Sequence, residues 1–176
     1  MRRFIATVLS AMAWLAVEAA AAENRVLVIR GADGTEEYGK DFAGQAVLWQ
    51  QAAEKAEAEF VEIGPAEGEA CLEKITGQLA EWSRHNDGVL WLVLIGHGTF
   101  DGREARLSLT GPDLTPEHLV EALKNHTGDL VMVHTGSASE PFARALRGER
   151  RVLVTATKSG DEVFYTRFGK PFAEAI

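Results

Sequence analysis

With a single cysteine in 176 residues, this chain can form no internal disulfide, and packing alone has to hold its fold. It has no H-E-x-x-H pair or other recognised ligand spacing, so no metal is expected. The first glycine-rich turn, Gly31-Ala-Asp-Gly34, lacks both the lysine of a phosphate loop and the third glycine of a dinucleotide fingerprint. No cofactor is expected on that ground. Basic residues are in deficit, 18 Lys and Arg against 26 Asp and Glu, for a formal net charge of -8. They are scattered along the chain rather than gathered over a phosphate path, which excludes a general nucleic-acid binder and points to no anionic partner. Internal repeats and low-complexity linkers are also missing.

Long apolar runs are scarce. The longest N-terminal one, Phe4 to Val17, follows Arg2 and Arg3 and leads into small residues around Ala20 and Ala22. That order reads as a secretory signal peptide over residues 1–22, cut after Ala22, since the run is shorter than the ~20 residues a membrane span needs. The mature chain, 23–176, is then expected in an exported compartment, periplasmic or secreted, with no stable membrane insertion. Its length suits one domain. The sequence stops inside an apolar helical pattern without a cap or polar tail, which reads as a piece of a longer protein.

Within 23–176, β-branched and apolar runs alternate with helical patterns. Strands are predicted over 25–30, 59–63, 89–95, 129–133 and 151–157, and helices over 38–56, 68–84, 116–124, 142–146 and 170–176. Thr115-Pro116-Glu117 opens its helix with an N-cap, a proline and an acid near the positive dipole end. Residues 105–109 alternate as a small exposed hairpin strand would. The class is therefore α/β: a mainly parallel sheet covered on both faces by helices, a three-layer α/β/α sandwich. Cys71 falls with Ile75, Leu79 and Trp82 on one helical face, as a packed, inert thiol.

Candidate chemistry sits at two strand ends. Val89–Ile95 is an almost unbroken apolar run that stops at Gly96-His97-Gly98, as a buried central strand does when it delivers one histidine to the surface. The flanking glycines read as keeping the backbone open to a ligand, and ligands of open α/β sheets bind at these carboxyl ends. One strand later comes His134-Thr-Gly-Ser-Ala-Ser-Glu-Pro141. His97 is either catalytic or a strand-end histidine bonded to a backbone carbonyl, and His134 reads as structural. Ser137 and Ser139 either work in the site or cap the helix near Pro141. Asp101 either orients His97 or closes its own turn. His97, Asp101 and His134 are ligand types at neighbouring strand ends, but without a ligand spacing. His85 and His126 lie in loops without clear partners and carry no site prediction.

The pair LIGHGTFDG and HTGSASEPF resembles the caspase and legumain-type cysteine peptidases. RGADGTEEYGKDF and RVLVTATKSGDE look most like the legumain-like members, and the resemblance covers most of 25–176. It implies a caspase/legumain-like fold, with His97 on the catalytic histidine, Gly98 on the glycine whose amide helps hold the oxyanion, and Ser137 on the nucleophile position. There the family has cysteine. A thiol becomes thiolate with a modest pKa shift, whereas a serine hydroxyl attacks only when a base takes its proton. The resemblance therefore implies a catalytically impaired peptidase homologue that retains a groove for a peptide or protein segment. Alternatives are an active peptidase or esterase using Ser137 and His97, and a structural or assembly module of a larger exported protein. The family's specificity residue would fall near Gly39 or Lys40, too loosely to assign a pocket.

Overall fold

The computed structural model describes residues 23–176, so the signal peptide expected over 1–22 lies outside the described residues. Five parallel strands form the central sheet: β1 (Arg25–Arg30), β2 (Glu59–Ile63), β3 (Val89–Ile95), β6 (Asp129–His134) and β7 (Arg151–Thr155). Their order is β2-β1-β3-β6-β7, which puts the apolar β3 at the centre. A two-stranded antiparallel hairpin, β4 (Gly98–Phe100) with β5 (Ala105–Leu107), leaves the carboxyl end of β3.

The period of two along each strand sorts side chains onto opposite faces. Leu27, Ile29, Leu92, Leu94, Leu130 and Met132 pack against α2 (Cys71–Trp82), α3 (Pro116–Ala122) and α4 (Glu140–Ala145). Val26, Val28, Val93, Ile95 and Val133 pack against α1 (Glu36–Lys55) and α5 (Gly169–Glu174). The α/β/α layering expected from the sequence is the fold. Each buried aliphatic side chain is worth about 1.5–3 kcal/mol relative to exposure, and two such cores stand in for disulfides.

Local differences from the sequence-based expectation have local causes. The second helix starts at Cys71 rather than 68, because a 3-10 segment over Pro65–Ala70 contains Gly68 at φ 56, outside the helical region. The segment 105–109 shortens to a three-residue strand and is not exposed, since Ala105 and Leu107 pack into the core with only Arg106 half-buried between them. The helix at Pro116 starts as its sequence signals. Thr115 accepts from the His118 amide, and the His118 ring accepts from the Thr115 amide.

Among the described residues, no helix is long and apolar enough to cross a membrane.

Candidate functional site

The carboxyl ends of β1, β3 and β6 meet through glycine. The Gly31 amide donates to the Ile95 carbonyl at 2.8 Å. A Cβ on Gly96 would stand 3.1 Å from the Gly31 Cα, and one on Gly136 would stand 2.4 Å from the Gly96 carbonyl oxygen. Gly96 also has φ 154, a backbone conformation that side chains rarely adopt. These glycines let three backbone turns touch, and that contact fixes where His97 and Ser137 emerge.

His97 is half-buried at the end of β3. Its ring lies edge-on to Tyr38, with centroids 4.7 Å apart, and to Phe42, 5.0 Å apart, both on the first half of α1. Gly34, at φ 67, closes another side, where a Cβ would come within 3.1 Å of His97 Nε2. Tyr38 in turn packs on Tyr165 at 4.9 Å. The Tyr165 hydroxyl donates to Asp41 at 2.8 Å, and Gln45 donates to the same carboxylate oxygen. Burial, followed by the hydrogen bond to Asp41, pushes the Tyr165 phenol up to about 12, so it remains a donor. Sequence patterning missed this aromatic wall. Its available signal was Tyr38 and Phe42, four apart on a helix next to the glycine turn.

Ser137 is buried, and its hydroxyl is committed to Gly98. The Oγ donates to the Gly98 carbonyl at 2.9 Å and accepts from the Gly98 amide at 3.2 Å. The two backbones are so close that a Cβ on Gly98 would stand 1.9 Å from the Ser137 carbonyl oxygen. Here the glycine expected to keep the backbone open to a ligand is instead covered by the chain's own loop. Among the described residues no hydrogen bond joins the His97 ring to Ser137. The next residue, Ala138, holds φ 49, a left-handed value for a residue with a Cβ, and its amide donates to the Glu162 carbonyl at 2.9 Å.

Neither serine caps α4. Ser139 stands at the cap position without a capping bond; its hydroxyl pairs with that of Thr157 at 2.9 Å and accepts from the Thr157 amide, while its own amide donates to the Thr157 Oγ1. Asp101 closes its own turn by accepting from the amides of Arg103 and Glu104, and it pairs with Arg106. The two amides, and then Arg106, hold its carboxyl below the usual carboxylate range. His134 is fully buried on the α4 face, edge-on to Phe142 at 4.7 Å, with its Nδ1 accepting from the Gly136 amide. Desolvation depresses its pKa to about 3. Among the described residues no group of three or more His, Cys, Asp or Glu side chains is placed to hold a metal ion.

No protein-family pattern matches this chain, and no curated protein matches it in sequence. Solved structures do. Caspase-1 from Spodoptera frugiperda superposes with a TM-score of 0.55 at 8% identity, over 88% of this chain and 69% of that one. A protein from Geobacter sulfurreducens matches with a TM-score of 0.46 at 15% identity, over 65% of this chain and 50% of that one. The chain has a caspase-like fold. In it, His97 and Ser137 follow adjacent parallel strands, β3 and β6.

Proposed function

We propose that this chain is an exported homologue of the caspase and legumain-type peptidases whose catalytic site has decayed and whose groove still takes a peptide or protein segment. The observation that carries this reading is the Ser137 hydroxyl. Its single proton is given to the Gly98 carbonyl, and its lone pair receives the Gly98 amide, the group that would otherwise face an oxyanion. A serine nucleophile needs its proton directed at a base; here the hydroxyl donates to a backbone carbonyl oxygen instead. Attack by Ser137 would require breaking both bonds and finding another donor for the oxyanion.

Retention of a groove is supported by the surface beside His97. Phe164 is 87% exposed and is flanked by the partly exposed Val163 and Tyr165, the latter packed at a tilt against Tyr38. Adjacent exposed apolar residues of this kind mark surfaces that bind chain segments. Export rests on the basic, apolar and small-residue pattern of residues 1–22.

The test is a peptidase and esterase screen of the chain from Glu23 beside its Ser137→Cys and Ser137→Ala variants, with peptide binding measured in parallel. Expected is a wild-type protein that binds peptide without cleaving it, with cleavage gained only in the cysteine variant. Wild-type hydrolysis abolished by Ser137→Ala would overturn the proposal in favour of an active serine hydrolase.

A further inference from the structure

The two edges of the central sheet, β2 and β7, differ in how they meet water. β2 carries two exposed carboxylates, Glu59 and Glu62, ion-paired to Arg25 and Arg30 of β1 at 3.4 and 2.9 Å. Charges of this kind keep an edge from recruiting another strand. β7, Arg151-Val-Leu-Val-Thr155, has no acid and no proline, and it pairs with β6 without a break in register. Its one charged side chain, Arg151, is half-buried and donates to the His126 carbonyl at 2.9 Å.

The outer side of β7 is a row of free backbone groups. The ladder to β6 opens with the Leu130 amide on the Arg150 carbonyl and closes with the Ala156 amide on the His134 carbonyl, both at 3.0 Å. A parallel ladder engages every second residue, so Val152 and Val154 face β6 while Arg151, Leu153 and Thr155 turn their N–H and C=O groups outward. Among the described residues no strand lies beyond β7, and no hydrogen bond reaches those outward groups. An apolar row also runs out to this edge. Val152 is 57% exposed and stands opposite Val131, which stands opposite Trp91, and both of these are half-buried.

We infer that β7 is the contact of a symmetric dimer, in which it pairs antiparallel with β7 of a second copy about a two-fold axis at Leu153. This register alone sets all three outward-facing residues of one copy against those of the other. Leu153 opposes Leu153, and Arg151 opposes Thr155 on either side, each pair exchanging two backbone bonds. On the α1/α5 side it lays Val154 of one copy over the exposed Val152 of the other. The charges agree with a second copy as the occupant. Arg151 meets a neutral threonine rather than its own counterpart, and the flanking cations Arg150 and Lys158 are paired within their own copy, with Asp129 at 3.0 Å and Glu162 at 3.9 Å. The same operation at β2 would bring exposed glutamates together.

The test is sedimentation velocity of the chain from Glu23 over a range of concentrations, with amide hydrogen exchange read by NMR at both ends of that range. Expected is a reversible dimer, with exchange at Arg151, Leu153 and Thr155 slowed as it forms and exchange along β2 unchanged. Val152→Lys and Val152→Glu, each confirmed folded by circular dichroism, should each weaken the dimer about tenfold or more. The two positions 152 are diagonal neighbours across the axis, so an equal mixture of the variants should associate to within about threefold of the wild type. A chain monomeric at every concentration, a dimer that protects other amides, or a mixture no tighter than either variant would each overturn the inference. Edge amides protected only when a peptide is added would overturn it as well, by giving β7 to a peptide strand instead.

Discussion

The Ser137 hydroxyl and the Gly98 backbone form a closed pair, in which one side-chain oxygen both donates to the glycine carbonyl and accepts from its amide, at 2.9 and 3.2 Å. The pair ties the loop after β6 to the first residue of β4. Ser137→Ala leaves both Gly98 groups buried without these bonds, so it should lower stability by about 1–3 kcal/mol without changing hydrolysis of any substrate. Chemical denaturation and a turnover assay on the same preparation check the two halves.

Glycine is required at position 98 and dispensable at position 44. Gly98→Ala drives a Cβ to 1.9 Å from the Ser137 carbonyl oxygen, so the backbone must separate and the melting temperature should fall sharply. A methyl added to Gly44, within α1, would meet nothing within 4 Å, and Gly44→Ala should raise stability by about 0.5–1 kcal/mol. Thermal melts of the two variants should move in opposite directions.

Acid should weaken the fold through His134. Its pKa is about 3 folded, against an ordinary value of 6.5, so the unfolded chain binds the extra proton. This contribution is fully present above pH 6.5 and is lost as pH falls from 6.5 towards 3, at up to about 1.4 kcal/mol per pH unit. His134→Asn keeps an acceptor for the Gly136 amide and removes the titration. Stability measured from pH 7 to pH 4 should fall less steeply in that variant than in the wild type.

The Ser139–Thr157 pair joins the loop after β6 to the end of β7. Thr157→Val keeps the shape and removes one hydroxyl that serves both the Ser139 amide and the Ser139 side chain. A loss of about 1–3 kcal/mol is expected by urea denaturation, and Thr157→Ser should restore most of it.

Cys71 is fully buried on α2, and burial, followed by the Glu67 charge, pushes its thiol above the ordinary range. It should resist a colorimetric thiol reagent in the native protein and react stoichiometrically once denatured. Rapid native reaction would contradict this placement.

Periodicity was enough to reveal the layers. The apolar runs 26–29, 89–95 and 130–133 can be satisfied only by helices on both sides, and the intervening helical stripes supply them, so the α/β/α sandwich was legible in the chain. The same patterning placed His97 and Ser137 at strand ends and read His134 as structural. It could not tell what each polar group bonds to, because partners such as Ser137 and Gly98, 39 residues apart, or Ser139 and Thr157, 18 apart, are set by how adjacent strands dock. Glycine carries the same ambiguity. In sequence, Gly96-His97-Gly98 reads as an opening for a ligand, and only the tertiary structure shows the space at Gly98 taken by the Ser137 carbonyl. Charge behaves likewise: Lys124, Arg147 and Arg151 are scattered along the chain but line one recess, because β6 and β7 start side by side and bring the ends of α3 and α4 together. Local patterns determine which elements form; long-range packing determines which side chains meet, and the chemistry at the strand ends depends on those meetings.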